Sequence, residues 1–377
     1  MTNAAPLNLD APSCRERQKR LTNWMQQQGV DYAWLSTADN VQYFTGFRSH
    51  RLLSTGVLLK SNGYCTLIAP NEAPADVAAD ETIPFVAQHH ATLRQDQMSA
   101  IADKLARFVD EASPSSRWGI EFGACPAEFV RRIGGNAAEK LVDVEPVLRT
   151  LRRRKDADEL AMIRRAIACS EAMYRRARDI IRPGVTEIDV YNQLQAAAVE
   201  VAGEPLTAFG NDFQCGTPGG PPRPRAAEAG ELYILDLGPA YRGYYADSCR
   251  TFAVGESLSA EQHQAWQQLV NVLAMVEETV KPGVSCKALF LKAQQMLDDY
   301  RPGAFCHHLG HGVGLYPHET PHLNSAWDDR FEEGDIFTAE PGLYGPALRG
   351  GIRLEHMYRV TNTGIERLIH SPLEMMR

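Results

Sequence analysis

Hydrophobic and polar positions along the chain follow two different rhythms. Residues 15–29, RERQKRLTNWMQQQG, have the spacing of an amphipathic helix closed by Gly29, and the β-prone stretch Asp31 to Leu35 follows at once. Short apolar runs at 57–59, 66–69 (after the turn Ser61-Asn62-Gly63), 118–122 and 141–144 read as strands, with a helical stretch at 97–108 between them. That alternation predicts an α/β domain over residues 1–150. Near residue 150 the charge density rises and the period switches from two to 3.6, which opens a second domain over 151–377. Helices are predicted from Asp156 to Ile181, from Thr186 with Asp189 in a capping-box-like start, from Ser259 to Val280, and from Cys286 to Tyr300. Pro183-Gly184-Val185-Thr186 returns as Pro282-Gly283-Val284-Ser285, each between two such helices. The second domain therefore reads as two related halves, with any site between them.

The stretch Glu231 to Arg250, ELYILDLGPAYRGYYADSCR, reads as a β-hairpin punctuated by Pro239 and Gly243. A turn centred on Tyr241 and Arg242 would set Asp236 directly opposite Asp247. Two carboxylates at about 4 Å and an effective dielectric of about 20 repel by on the order of 4 kcal/mol. Such a pair needs a proton, a basic partner or a metal.

The bulk properties narrow the function. With 377 residues, 44% hydrophobic content and a net charge of −8, the chain can fill proper cores but lacks the basic excess that nucleic acid or an anionic membrane requires. Its one basic run, Arg149 to Lys155, is short and fits a helix start or a contact between domains. The N-terminal MTNAAPLNLDAPS has no leader-peptide character and no window is long and apolar enough to span a bilayer, so a cytoplasmic protein is expected. Eight cysteines without a CxxC pair fit neither a disulfide framework nor a thiolate zinc site, and read as small buried residues.

Composition changes sharply at residues 303–323, GAFCHHLGHGVGLYPHETPHL, which carry His307, His308, His311, His318 and His322 of the chain's 11 histidines among glycines. Neutral imidazoles so concentrated point to metal binding or proton transfer. Two later strand-like segments carry an acid where an apolar residue would be expected. Glu340 ends the run Ile336–Ala339 and is stopped by Pro341; Glu355 lies in 351–357, where it would share a strand face with Arg353 and Met357. Each alone would be an ordinary surface acid. Taken with Asp236, Asp247 and His311 they form a set of four carboxylates and one imidazole. Two divalent ions would balance its charge, oxygen-rich ligation favours Mn²⁺ and also admits Co²⁺, Fe²⁺ or Zn²⁺, and two ions about 3.5–4 Å apart can deprotonate a bridging water.

These residues resemble the ligand pattern of the pita-bread-fold metallopeptidases, a family that includes Xaa-Pro aminopeptidases, prolidases, methionine aminopeptidases and creatinase. The similarity is greatest to the Xaa-Pro peptidase and creatinase-like branch, and it extends to Asp39–Phe47 (DNVQYFTGF) in the first domain. It implies an α+β protein: an N-terminal α/β creatinase-like domain and a C-terminal pita-bread domain with a curved antiparallel sheet and an internal pseudo-two-fold repeat. It further implies that Asp236 chelates one metal ion, Asp247 and Glu355 bridge two, and His311 and Glu340 complete the second, with Glu340 also the proton acceptor. By the same resemblance His318 touches the scissile carbonyl or the leaving nitrogen and steadies the tetrahedral intermediate, His307 is a further active-site histidine, Arg353 stands beside the bridging glutamate, and Tyr344 of Glu340–Tyr344 (EPGLY) borders the substrate pocket. A homodimer acting on short peptides is implied, with neither nucleic acid nor membrane as partner. The chain departs from the branch in one place: segment 213–225 has no histidine where many relatives place one, which bears on prolyl specificity and not on the metal centre, and Arg223 or Arg225 could supply positive charge instead. The expected reaction is cleavage of X-Pro bonds. The alternative is a creatinase-like or ectoine-type hydrolase or lyase acting on a non-peptide small molecule, and a binding protein on a dead scaffold would be expected to have lost ligands.

Overall fold

The structure, a computed structural model, describes residues 7–133, 138–255 and 257–376; the first residues of the N-terminal stretch read above as lacking a leader lie outside them. The chain divides into two compact units, Leu7–Arg152 and Arg153–Arg377. Among the described residues no helix is long and apolar enough to cross a membrane.

In the N-terminal unit, α1 (Ala11–Gln28) ends on Gly29, whose φ of 63° closes the helix in the left-handed region. Strands β1 (Tyr32–Leu35), β2 (Gly56–Lys60), β3 (Cys65–Pro70), β4 (Glu81–Phe85), β5 (Trp118–Ile120) and β6 (Leu141–Asp143) form one mixed sheet in the order β4-β3-β2-β1-β5-β6. Trp34, Leu58, Ile68, Ile101, Leu105 and Phe129 lie in its core with α3 (Gln97–Glu111) and α4 (Ala127–Ile133) against it. The segment Asp39–Phe47 mostly forms α2 (Ala38–Thr45), a helix the periodicity did not predict. Its start is held by buried Glu121, which accepts from Ser36 N at 2.6 Å, Thr37 N at 3.1 Å and Asn40 Nδ2 at 2.6 Å. Another unpredicted helix, α5 (Glu145–Arg153), follows β6.

The C-terminal unit is built twice over. Helices α6 (Ala157–Ile180) and α7 (Glu187–Ala202) open the first half, and α8 (Ala260–Thr279) and α9 (Cys286–Tyr300) the second. Thr186 and Ser285 cap α7 and α9 by accepting the N–H of Asp189 and Ala288. Gly184 and Gly283 share a φ of 88°, and each donates to the equivalent carbonyl, Ala227 O at 2.9 Å and Phe331 O at 2.8 Å. The correspondence continues into the sheets. Gly230 N donates to Val254 O at 2.8 Å and Gly334 N to Val360 O at 2.9 Å, with Val254 N and Val360 N returning bonds to Glu231 O and Asp335 O.

Strands β7 (Asp212–Cys215), β8 (Leu232–Leu237) and β11 (Ser248–Ala253) make a three-stranded antiparallel sheet, with the short hairpin β9 (Ala240–Tyr241) and β10 (Tyr244–Tyr245) at its tip. The second half has β12 (Gly310–Gly312), β13 (Glu319–Leu323), β14 (Ile336–Ala339), β17 (His356–Val360) and β18 (Ile365–Arg367) in the order β13-β12-β14-β17-β18, and the hairpin β15 (Gly342–Gly345) with β16 (Gly350–Arg353). Leu232, Leu269, Val276, Leu289, Leu297, Phe337 and Tyr358 pack in one core between helices and sheet. The basic run at 149–155 gives two cations to this unit: Arg153 pairs with buried Asp335 at 2.7 Å and Lys155 with Glu319 at 3.1 Å.

Candidate active site

The hairpin turn falls one residue later than its sequence suggests. Tyr241 pairs with Tyr244, so the central residues are Arg242 and Gly243, with φ of 48° and 87°. A two-residue turn with both φ values positive matches the twist of its strands, and Gly243 takes the second position without strain. The slip carries through β8 and β11: Asp236 pairs with Cys249, not Asp247. The same register sets Asp247 opposite Gly238, where a Cβ would stand 3.7 Å from its Oδ1. Because strand faces alternate with a period of two, Asp236 and Asp247 still look the same way. They meet diagonally.

Glu340 directly follows β14 and its N–H donates to Leu309 O at 2.7 Å. Pro341 then sends the chain out through β15 and β16. The single strand expected at 351–357 is absent: Arg353 ends β16, paired with Gly342, and His356 begins β17, paired with Ala339. Glu355 sits at this change of partner, with its N–H donating to Cys249 O at 3.0 Å and Leu354 N to Pro341 O at 3.2 Å. The switch occurs because one backbone edge serves two different strands in turn. His311 lies on β12 between Gly310 and Gly312, where any Cβ would run into the Thr338 and Thr320 carbonyl oxygens.

These elements deliver Asp236, Asp247, His307, His308, His311, His318, Glu340, Arg353 and Glu355 to the wall of one cavity of about 280 Å³, together with Asn211 and Asp212. Ligand atoms of Asp247, His311 and Glu355 lie within 4.8 Å of one another, as do those of His307, His308 and Glu340. His311 Nε2 is 3.3 Å from Glu340 Oε1 and 3.8 Å from Asp247 Oδ2. Its Nδ1 is 3.1 Å from Gly312 O, which accepts, so the ring presents Nε2 to the acids. His318 stacks on His311 at 3.7 Å.

Burial sets the electrostatics. It pushes the Asp236 carboxyl up to about 6 against the downward pull of Arg353. It also raises Asp247 and Glu355 well above the usual carboxylate range, with neighbouring acids adding to the shift. Burial acts upward on Glu340 too, but the hydrogen bond and charge of His311 overcome it and hold the group at about 2. His311 resists its own desolvation through Glu340 and Asp247 and rises to about 9. His318, desolvated and beside other imidazoles, falls to about 4 and is neutral near pH 7. Buried Glu355 keeps one oxygen, Oε2, without a hydrogen-bond partner. Four crowded carboxylates, an imidazole aimed at them and an unsatisfied buried oxygen suit divalent cations, and Asp236, Asp247, His311, Glu340 and Glu355 are the residues able to hold them.

A model described as metallopeptidase family M24 matches residues 161–362, over half of the chain. The chain belongs to metallopeptidase family M24. The Creatinase/Prolidase N-terminal domain matches residues 17–154 of the same protein. This M24 chain is 28% identical over 360 residues to an uncharacterized peptidase of Staphylococcus aureus strain USA300, spanning 93% of this chain and 98% of that one. In structure it is similar to the prolidase from Pyrococcus horikoshii OT3 (TM-score 0.79, 24% identity, 96% and 100% of the two chains). It is also similar to the Xaa-Pro dipeptidase from Bacillus anthracis (TM-score 0.80, 24% identity, 96% and 99%). The fold is thus a creatinase-type N-terminal domain followed by a pita-bread domain, and the M24 protein is a metallopeptidase.

Around the acids of this M24 site runs a chain of hydrogen bonds. Arg353 Nη2 donates to Asp236 Oδ2 at 2.8 Å and to Asp212, and Nη1 to the Tyr344 hydroxyl at 3.1 Å. Tyr344 lies 2.8 Å from His307 Nε2, and His307 Nδ1 is 2.8 Å from His308 O, which accepts. Neutral His307 therefore accepts from Tyr344. Sequence reasoning passed over Asp212 and Asn211, which precede the loop it singled out, and gave His308 no role of its own beside its neighbours. Asp212 could have been noticed as an acid opening a strand, beside buried Phe213 and Cys215. The expectation that Arg223 or Arg225 supplies charge to the pocket is not met: Arg223 pairs with buried Glu187 at 2.6 Å and Arg225 with Glu231 at 3.0 Å. His322 turns to Asp329 at 2.9 Å, and Cys306 is exposed.

Proposed function

We propose that this M24 peptidase is a dinuclear-metal hydrolase of the Xaa-Pro dipeptidase or aminopeptidase type, cleaving the bond before proline in short peptides. The observation that carries the reading is the convergence of Asp236, Asp247, His311, Glu340 and Glu355 on one cavity that also holds His318. Asp236 would hold one divalent ion, His311 and Glu340 a second, and Asp247 and Glu355 would reach both; Mn²⁺ suits the oxygen-rich set, with Co²⁺, Zn²⁺ or Fe²⁺ also accommodated. When bound, such a pair supplies Lewis acidity and an activated water.

The protein's own groups do the rest. Glu340, ionised at neutral pH, accepts the proton of the attacking water. Neutral His318 offers an N–H to the scissile carbonyl, where negative charge develops. Arg353, Tyr344 and His307 hold Asp236 and the pocket wall in register through their chain of hydrogen bonds. A cavity of about 280 Å³, near the lower end of ligand-site volumes, has room for a dipeptide-sized substrate. The resemblance further supports a homodimer.

One observation favours a second substrate class. Among the described residues none that lines the cavity is aliphatic, so no such side chain there faces a pyrrolidine ring. A creatinase-like or ectoine-type hydrolase or lyase acting on a polar small molecule would fit such a wall. Incubating Mn²⁺- or Co²⁺-reconstituted protein with X-Pro dipeptides, X-Pro-Y tripeptides and a polar metabolite panel separates the two. Metal-dependent release of X that disappears in Glu340→Ala, with the fold retained, supports the peptidase; turnover confined to the metabolites supports the second class.

A further inference from the structure

His308 lines the cavity and has no part in the reading above. Its Nδ1 is buried and without a hydrogen-bond partner, yet it stands 3.4 Å from Glu340 Oε1. The same oxygen is 3.3 Å from His311 Nε2. An unprotonated Nδ1 and a carboxylate oxygen at that distance repel unless a proton or a cation lies between them, and no hydrogen bond joins the two. Donor atoms bound to one ion at about 2.0–2.2 Å, between tetrahedral and octahedral angles, are themselves roughly 3.0–3.5 Å apart. Both spacings fall in that range. The ring is also held in place, edge-on to His311 at 5.4 Å, to His318 at 5.5 Å and to His307 at 5.8 Å.

We propose that His308, through Nδ1, is an additional imidazole ligand for the ion position formed by His311 and Glu340. The inference rests on the dinuclear reading above and deepens it. That position then carries two nitrogens, while the other is made of Asp236, Asp247 and Glu355 oxygens alone. Imidazole ligands favour Co²⁺ and Zn²⁺ over Mn²⁺, so the two ends of the centre differ in the metal they prefer.

The test uses the full-length protein stripped of metal and titrated calorimetrically with Co²⁺ and with Mn²⁺, alongside the visible absorption of the Co²⁺ form. His308→Ala and His308→Gln are compared with His322→Ala, whose ring is bonded to Asp329. Wild type and His322→Ala should bind two ions. Both His308 variants should show at least about tenfold weaker Co²⁺ binding at one position, an altered Co²⁺ spectrum and a smaller loss for Mn²⁺, and added imidazole should restore the spectrum of His308→Ala. Two Co²⁺ ions bound with wild-type affinity and spectrum in both His308 variants would overturn the assignment while leaving the dinuclear reading intact. A wild-type protein that binds neither metal overturns the dinuclear reading, and the assignment with it.

Discussion

Arg353 is the residue through which Asp236, a proposed metal ligand, can be tuned. Its guanidinium lies 2.8 Å from Asp236 Oδ2 and also bonds Asp212. Burial has already pushed Asp236 up to about 6 with Arg353 pulling against it, so removing the cation sends the pKa higher still. At a charge separation of roughly 4 Å and an effective dielectric of about 20 the attraction is about 4 kcal/mol. Residual hydration screens part of it, and taking about half leaves about 2 kcal/mol for Asp236, or roughly 1.5 pH units. A carboxyl must lose its proton before it can ligate, so metal affinity climbs as pH rises through that pKa. In Arg353→Gln the whole rise moves upward by roughly 1–2 units, whereas Arg353→Lys, which keeps the charge, recovers much of the wild-type profile. Calorimetric Mn²⁺ titrations from mildly acidic to mildly alkaline pH at fixed ionic strength measure it. Coincident profiles for wild type and Arg353→Gln, or a downward shift, would refute the electrostatic argument.

Three further outcomes follow from the same geometry. His311 at about 9, with Asp247 and Glu355 also raised, retains protons at pH 7, so metal binding there should release one or more; equal calorimetric enthalpies in buffers of different ionisation heat would contradict this. Gly310→Ala drives a methyl group against Thr338 O and must displace β12, so metal affinity should fall with a lowered Tm; unchanged titrations would show that the strand yields harmlessly. Arg250 is buried and donates to the carbonyls of Cys249, Glu355, Ser371 and Pro372. Arg250→Met orphans the Glu355 carbonyl, and a loss of about 2–4 kcal/mol is expected from urea unfolding; a variant as stable as wild type would mean that the freed groups find water.

Much of this architecture was legible because its signals are local. Gly29, Thr186 and Ser285 stand within a residue of the helix ends they predict, since caps act over a single turn. The acids and histidines of the cavity could be picked out because each residue type conflicts with its setting: Glu340 ends an apolar strand, and His311 sits between glycines that backbone crowding requires. The hairpin register was not legible, because Arg242 takes a left-handed conformation that its identity does not advertise. The break at Glu355 escaped the strand pattern because alternation says nothing about a chain that changes partners. Helix α2 depends on Glu121, some 80 residues away in sequence, and no local period contains that bond. Asp212 gains its meaning only from Arg353, which long-range folding brings to it.

The duplicated backbone of the C-terminal unit carries unduplicated chemistry. Asp236 and Glu340 stand at equivalent places in the two halves, but Asp236 pairs with Cys249 on β11, whereas Glu340 and Glu355 flank the last pair of β14 and β17, Ala339 with His356. Neither half holds all five candidate donors, so the proposed centre would exist only while the two are seated on one another. A cation placed there is a clasp across the seam, and slight parting of the halves would silence the enzyme long before its helices melt.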